Sequence, residues 1–330
     1  MMENLARLFE SFTKLRVGVI GDVMLDTYMW GKVDRISPEA PVPVVVLDKK
    51  EYRIGGAGNV ALNCHSLGSQ VFILSVTGDD TESLLLEELF HENLIDTSYL
   101  IKRAGRTTTN KTRIISRNQQ MIRLDAEMTH PLDQETEELL LHRVRSFIQK
   151  NDPNVIIFED YNKGVLTERI IHDVLRICRE AGVITAVDPK RKNFFAYHQA
   201  DIFKPNLAEV RDGLNILFDD IDPALLSKIH LELKNILEHN VSFITLSDKG
   251  VFYQQDSRAS IIPSHLRNIA DVSGAGDTVI AVAALVFTVT KDVHLMAEIA
   301  NIAGGLVCEE VGTVAIDKSR LQSECELLLS

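Results

Sequence analysis

Asp271-Val272-Ser273-Gly274-Ala275-Gly276-Asp277-Thr278 runs without a break into the apolar Val279-Ile280-Ala281-Val282-Ala283-Ala284-Leu285-Val286-Phe287. Two glycines directly ahead of an apolar helix let several backbone N–H groups converge on one point at its N-terminus, an anion hole to which the helix dipole adds. Asp277 falls in the first turn, beside any anion held there, where a carboxylate costs Coulomb energy. Two readings account for it. In one, Asp277 is a general base that takes a proton from a hydroxyl as that hydroxyl attacks a phosphoryl group, with Gly274, Ala275 and Gly276 supplying the amides. In the other, Ser273 or Asp277 only caps the helix and the glycines only make the turn. The apolar run Thr278 to Thr290 is too short for a bilayer, which takes about 20 helical residues, and reads as a buried helix.

Upstream of that helix, short β-branched runs alternate with longer helical patterns. Val17–Ile20, Val71–Val76, Val155–Phe158, Val183–Val187 and Phe243–Leu246 are continuously apolar, as parallel strands covered on both faces are. Glu135–Lys150 and Thr167–Ala181 read as helices. In the second, Ile170, Ile171, Val174, Leu175 and Cys178 share one face and Gly182 stands at the C′ position. The fold class is α/β, a doubly wound, mostly parallel sheet flanked by helices. Two segments break the rhythm. Tyr28–Leu47 holds Ser37-Pro38-Glu39-Ala40-Pro41-Val42-Pro43 before a Val run, and Arg106–Asp125 holds Thr107-Thr108-Thr109, Ile114-Ile115 and Ser116-Arg117-Asn118-Gln119-Gln120. Both are too β-rich and proline-broken for crossover helices and read as a small β lid. With no internal repeat, low-complexity tract or linker, the lid is an insertion in a single domain spanning residues 1–330.

A chain of 330 residues with 45% apolar and 25% charged residues is neither disordered, collagen-like nor a disulfide scaffold. Its formal net charge of −12 disfavours non-specific binding to nucleic acid or an anionic membrane, so any phosphate must be met by a local site. Cys64, Cys178, Cys308 and Cys325 are far apart and form no C-x-x-C, which suits a reducing compartment. The opening residues, with Glu3 and Glu10, lack the apolar core of a signal peptide. The expectation is a cytoplasmic protein.

Gly55-Gly56-Ala57-Gly58-Asn59-Val60-Ala61 has two competing readings. Gly56-x-Gly58-x-x-Ala61 formally matches a dinucleotide-binding fingerprint, with Asp79 and Asp80 roughly 20 residues on, although the charged Lys49–Arg53 before it is no buried strand. The alternative is a substrate floor on which Asn59 offers donors and an acceptor to sugar hydroxyls. Gly21-Asp22, after the first strand, faces the same crevice, where Asp22 suits a grip on a diol or is simply a loop carboxylate. In Lys204-Pro205-Asn206-Leu207-Ala208-Glu209, Asn206 and Glu209 either meet the water shell of Mg²⁺ or form a capping box. No G-x-x-x-x-G-K-[ST], H-E-x-x-H or paired C-x-x-C occurs, which excludes a P-loop ATPase as written and offers no support for a catalytic transition metal.

Taken together, these pieces resemble the ribokinase-like (PfkB-type) carbohydrate kinases over essentially the whole chain. Gly55–Ala61 looks like the first family signature, Asp271–Thr278 like the second, and Asn206–Glu209 supplies the N-x-x-E between them. The resemblance narrows to D-glycero-D-manno-heptose 7-phosphate kinases on longer stretches: Gly21-Asp22-Val23-Met24-Leu25-Asp26, residues 35–44, residues 116–125, Asp160-Tyr161-Asn162-Lys163-Gly164 and Asp188-Pro189-Lys190.

That resemblance implies a ribokinase-like fold and ATP-dependent phosphorylation of the anomeric C1 hydroxyl, giving a heptose 1,7-bisphosphate on the route to ADP-heptose for lipopolysaccharide. It implies ATP and Mg²⁺, with K⁺ a further candidate at Asp271 and Ser273. ATP would lie along the C-terminal half, with Lys204, Ser247, Lys249 and Gly250 near its phosphates, Asn206 and Glu209 at the metal, and Asn301 and Gly304 at the adenine. The sugar would lie under the lid against Asp22, Gly55, Gly56, Asn59 and Asp160, its 7-phosphate met by Arg113, Arg117, Lys163 and Lys190. Some relatives carry a fused nucleotidyltransferase domain, and none is expected in this chain. Ser273 stands where the family often has threonine, and Cys308-Glu309-Glu310 precedes Val311-Gly312-Thr313 near the expected cation loop. The exposed edges of the lid imply a homodimer formed through it. The rival readings are a PfkB-type kinase for another sugar or sugar phosphate such as fructose 6-phosphate, a binding-only protein on a kinase fold, and a dinucleotide-dependent oxidoreductase resting on Gly56–Ala61 alone.

Overall fold

Alternating strands and helices bury their apolar faces by laying helices on both sides of a shared sheet, and this chain does so in sequence order. The computed structural model describes residues 2–117, 119–217, 221–265 and 267–329; Asn118 of the lid motif and Ser330 lie outside them. Helix α1 (Met2–Ser11) leads into β1 (Arg16–Gly21). The chain then leaves the sheet through β2 (Val23–Ile36) and β3 (Pro43–Gly56) and returns by α2 (Ala57–Ser66) to β4 (Gln70–Leu74). After β5 (Val76–Gly78), α3 (Thr81–Glu92) and β6 (Ile101–Arg103) comes a second excursion, β7 (Thr109–Ser116) and β8 (Gln119–Ala126). The next units are α4 (Gln134–Asn151), β9 (Val155–Glu159), α5 (Glu168–Ala181), β10 (Ile184–Asp188), β11 (Ile202–Phe203), α6 (Leu207–Leu214), α7 (Pro223–Leu237) and β12 (Val241–Thr245). A hairpin, β13 (Val251–Gln255) and β14 (Arg258–Ile262), precedes three helices, α8 (Ala275–Thr290), α9 (Val293–Val307) and α10 (Lys318–Leu328).

Among the described residues the main sheet has eight strands in the order β14-β13-β12-β11-β10-β9-β1-β4, parallel from β4 to β12 and antiparallel over the last two pairings. Alternate residues serve opposite cores. Val17, Val19, Val155, Ile157 and Ala186 join the core that contains α8 and α9, while Ile20, Ile156, Phe158 and Val187 join the core under α4, α5 and α7. Glu159 and Asp188 end their strands side by side, paired in register. By the same alternation they stand on the α8 side of the sheet.

The described structure agrees with the α/β reading and moves several boundaries. The run Val71–Val76 is not one strand. Ser75 breaks it, its hydroxyl donating to Gly21 O at 2.6 Å, and β5 turns away to pair with β6 in a separate two-stranded sheet. The lid is longer than its sequence segments, because β2 starts at Val23 and β3 runs to Gly56, so the first glycine signature closes a lid strand. The lid sheet has the order β3-β2-β7-β8, with β2 and β7 parallel. Helix α5 ends as its sequence indicates, Thr167 capping the N-terminus and Gly182 adopting φ 70° at the C-terminus. No helix of the described residues is long and apolar enough to cross a membrane.

Helix α8 is apolar all round because it is enclosed. Every residue from Asp277 to Phe287 is buried, between the sheet, α2 and α9. Leu285→Ala therefore leaves a cavity with nothing to fill it and is expected to cost about 2–5 kcal/mol in a urea denaturation; a loss under about 1 kcal/mol would show that the helix can collapse onto the gap.

Candidate active site

The N-terminus of α8 opens at Gly274, whose φ of 79° is left-handed. A Cβ there would also come within 2.7 Å of Asn59 Nδ2, so the position excludes side chains on two counts. Ala275 N donates to Val272 O and Thr278 N to Gly274 O, while the Gly276 and Asp277 amides meet no acceptor among the described residues. Two unspent donors at a helix N-terminus make an anion seat. Neither Ser273 nor Asp277 caps the helix: Gly274 is the N-cap, and it makes no side-chain cap hydrogen bond.

Asp277 is 4% exposed and its carboxylate is held from two sides. Asn59 Nδ2 donates to Oδ2 at 2.8 Å and the Tyr161 hydroxyl donates to Oδ1 at 2.8 Å. Burial raises its pKa to about 6, against the downward pull of the Asn59 and Tyr161 donors; Asp188 adds to the rise and Lys204 opposes it. A carboxylate so placed is charged at neutral pH and basic enough to take a proton. Asn59 is positioned by α2, which begins only after Gly56 turns the chain at φ 59°, where a Cβ would stand 2.4 Å from Asp22 O. One turn later Asn63 accepts the Thr278 hydroxyl at 3.0 Å, so two asparagines of α2 bind consecutive residues of α8.

Below this point the C-terminal edges of β9, β10 and β11 bring together acids and lysines. Lys204, 2% exposed, pairs with Asp188 at 2.8 Å, and a Cβ on Gly276 would lie 3.7 Å from Asp188 Oδ2 and 3.8 Å from Lys204 Nζ. Lys190 pairs with Glu209 at 2.5 Å and stands 3.7 Å from Asp188. Glu159 is wholly buried with neither oxygen hydrogen-bonded among the described residues; burial, then the charges of Asp188 and Asp277, raise its pKa well above the usual carboxylate range.

Several sequence candidates have other work in this geometry. Asp22 accepts the amides of Tyr161, Lys163 and Val165 at 2.9, 3.0 and 3.1 Å, bracing the loop after β9. Asp160 accepts the Asn162 amide, Asn193 and the Tyr197 hydroxyl, and burial raises its pKa to about 6. Neither carboxylate is left as an open grip on a diol. Asn206 and Glu209 form the capping box of α6, leaving lone pairs that suit the outer water shell of magnesium and not direct coordination. Asp271 accepts the amide and hydroxyl of Ser273 on one oxygen and the Gly312 amide on the other; burial works against ionisation, but these donors outweigh it and hold the pKa down. Among the described residues no group of three or more His, Cys, Asp or Glu side chains is arranged to hold a metal ion.

The four expected cations are each paired: Arg113 with Asp26 at 2.6 Å, Arg117 with Asp34 at the exposed lid rim, Lys163 with Glu127 at 2.6 Å, and Lys190 as above. Arg106 and Lys111 were not singled out in the sequence. Arg106 is half-buried beside Asp22 and donates to the Lys163 carbonyl at 2.6 Å; Lys111 lies over the Tyr161 ring, 5.2 Å from its centroid. Neither forms an ion pair with a carboxylate among the described residues, and burial lowers the pKa of both. Gly55, the last but one residue of β3, lies against the Asp26 carboxylate. On the other side, Ser247, Lys249 and Gly250 form the turn between β12 and β13, Gly250 packs on Ile262 O, Asn301 donates to Pro263 O at 2.9 Å, and Gly304 lies against Val279. The Ser247–Gly250 turn and Asn301 thus both meet the segment that leaves β14, whereas Gly304 faces α8. The dinucleotide reading of Gly56–Ala61 fails on topology, because that fingerprint follows a strand of the parallel sheet and β3 belongs to the lid.

The pfkB family carbohydrate kinase pattern matches residues 14–319. The chain belongs to the pfkB family of carbohydrate kinases. It is 38% identical over 308 residues to bifunctional protein HldE of Methylobacillus flagellatus, covering 93% of this chain and 62% of that protein. To bifunctional protein HldE of Geobacter metallireducens it is 36% identical over 320 residues, covering 97% and 64%. The chain thus spans a little under two thirds of the length of these relatives. Phosphofructokinase-2 from Escherichia coli, solved in complex with potassium, superposes with a TM-score of 0.79 at 15% identity over 96% of this chain and 100% of that one. Arabidopsis thaliana ribokinase, complexed with ribose and ATP, gives 0.70 at 16% over 93% and 98%. These two share the fold. As a pfkB-family enzyme the protein is a phosphotransferase acting on a sugar.

If Asp22 is a brace, Asp22→Ala orphans three amides and is expected to cost about 2–4 kcal/mol of stability in thermal or urea unfolding. Full stability with lost sugar binding would assign the carboxylate to the ligand instead.

Proposed function

We propose that the protein transfers the γ-phosphoryl group of ATP to the C1 hydroxyl of D-glycero-D-manno-heptose 7-phosphate, giving the 1,7-bisphosphate and ADP in the cytoplasm. The observation that carries the transfer chemistry is the buried Asp277 carboxylate beside two unspent amides at the mouth of α8. The resemblance of residues 21–26, 35–44, 116–125, 160–164 and 188–190 to heptose 7-phosphate kinases, and the HldE relatives, support the choice of sugar.

In this reading the sugar lies between Asn59, the Gly55–Gly56 backbone and the lid, with C1–OH at Asp277. The proton passes to Asp277 as the C1 oxygen bonds to the γ-phosphorus and the bond to the β–γ bridging oxygen breaks. The Gly276 and Asp277 amides and Lys204 offset charge on the transferred group, and Ser247, Lys249, Gly250, Asn301 and Gly304 line the nucleotide side. Asn206 and Glu209 would hold magnesium through its waters, and the ion would supply positive charge against the phosphates. A K⁺ ion at the Asp271–Ser273 loop is part of the same reading. The distal phosphate goes to Arg106 and Lys111, the two cations near Tyr161 and Asp22 with no carboxylate partner, since pairing already neutralises Arg113, Arg117, Lys163 and Lys190.

A coupled ADP-release assay across heptose 7-phosphate, fructose 6-phosphate, ribose and free heptose tests this reading. Heptose 7-phosphate is expected to give the highest kcat/KM, and Arg106→Ala to raise its KM while leaving unphosphorylated sugars unaffected. Asp277→Asn is expected to lower kcat by about 10²–10⁴ with sugar binding retained. The wild-type rate should fall as pH drops through about 6, because the base works only when ionised. Preference for an unphosphorylated sugar, or near-normal turnover by Asp277→Asn, overturns the assignment.

The lid also supports a homodimer. Its edge strands are β3 and β8, and Ile36, Val42, Val46, Leu47, Ile122 and Leu124 are all more than half exposed on it. Unpaired edges carrying apolar side chains are covered by a second copy in this reading. Light scattering at micromolar concentration should give twice the chain mass, and Leu47→Glu with Leu124→Glu should give a monomer; a monomeric parent chain rules the lid dimer out.

A further inference from the structure

We propose that Tyr161 is a positioning residue of the reaction: its hydroxyl, donated to Asp277 Oδ1, fixes the plane of the carboxylate that receives the alcohol proton. The proposal rests on the reading of Asp277 as the base. A carboxylate held by one donor still pivots about its last side-chain bond. Asn59 supplies that one donor from α2, and Tyr161 supplies the second from the loop after β9, each at 2.8 Å and each on a different oxygen. Two donors from separate elements leave the remaining lone pairs pointing in fixed directions.

Tyr161 is itself held more tightly than a loop residue needs to be. Its amide donates to Asp22 Oδ2 at 2.9 Å, and that carboxylate also takes the amides two and four residues on. The next residue, Asn162, turns at φ 55° and donates its amide to Asp160. Lys111 of the lid strand β7 and Lys190 after β10 stand 5.2 and 5.5 Å from the ring centroid, close enough for cation–π attraction. The aromatic ring therefore joins three regions, the lid, the sheet edge and the proposed base.

The phenol acts as a donor only. Burial, followed by the charges of Asp277, Glu159 and Asp188, keeps it protonated far above neutrality. Asp277 is faced by Asn59 from α2, Tyr161 from the loop after β9, Glu159 from β9, Asp188 from β10 and Lys204 from the segment after β11. Of these, Asn59, Tyr161 and Lys204 favour its charged form and Asp188 opposes it. Removing the phenol hydroxyl takes away one of the favouring groups, so the carboxylate protonates at higher pH.

The test compares the parent enzyme, Tyr161→Phe and Asp277→Asn in steady-state kinetics from about pH 5 to about pH 8, using the best sugar phosphate and ATP. The phenylalanine variant keeps the ring within reach of both lysines. It is expected to melt near the parent temperature, keep KM within about twofold, lose about ten- to a hundredfold in kcat, and show its acid limb displaced to higher pH. Tyr161→3-fluorotyrosine, a stronger donor of nearly the same shape, should move the limb to lower pH and stands in if the phenylalanine variant does not fold. Unchanged kcat and an unmoved limb while Asp277→Asn is inactive overturn the role of Tyr161 and leave the base standing. A rise in KM alone makes Tyr161 a substrate contact and also overturns it. Full turnover by Asp277→Asn overturns the base reading, and the positioning role with it.

Discussion

The constraint that organises this enzyme is the placing of a carboxylate at the mouth of a helix that attracts anions. Asp277 sits out of water in the first turn of α8, where burial opposes its charge, and it is kept ionisable by donors that the rest of the fold must deliver. Asn59 arrives because Gly56 turns the end of a lid strand into α2. Tyr161 arrives because Asp22, just beyond β1, gathers three amides of the loop after β9. Lys204 follows directly on the two-residue strand β11 and is steadied by Asp188. The C-terminal edges of four adjacent parallel strands thus converge on one side chain, as expected for an α/β sheet whose chemistry lies beyond those ends.

The lid is bonded into the same centre. Asp26 at its root takes Arg113 on one oxygen and the Thr313 hydroxyl on the other, and the Tyr28 hydroxyl accepts the Thr313 amide. The guanidiniums of Arg53 and Arg113 lie 4.8 and 5.2 Å from the Tyr28 ring centroid, and Arg53 donates to the carbonyls of Val311 and Thr313. Between those two residues, the Gly312 amide donates to Asp271 ahead of α8. The root of the lid and the loop that opens α8 are therefore joined through a single short segment. Arg113, which the sequence offered as a phosphate ligand, is part of this latch.

Much of the site was legible before any coordinates. The order of the two glycine signatures and the N-x-x-E marks the family, and an acid following Gly-Ala-Gly ahead of an apolar helix reads either as a base at a helix N-terminus or as a cap. Partner choice was not legible. Asp22 and Asp160 look like ligands for hydroxyls in a linear sequence, yet their oxygens are taken by backbone and side-chain donors of the loop they brace. The four cations assigned to the phosphate are neutralised by carboxylates 19 to 87 residues from them in the chain, while Arg106 and Lys111 carried no motif. Tyr161 lay inside a quoted stretch, but nothing in its neighbours reveals that its hydroxyl reaches an acid 116 residues away.

The amino-acid sequence by itself determined the strand and helix alternation, the buried character of α8, the lid insertions and the kinase family, because those follow from local periodicity and from short motifs whose geometry is set by adjacent residues. The tertiary structure alone decided which charges remain unpaired, which acids are braces, where Val71–Val76 splits, and which groups hold Asp277. Those outcomes depend on distances across strands and loops, where a displacement of one or two ångströms makes or breaks a hydrogen bond, and no pattern along the chain encodes them.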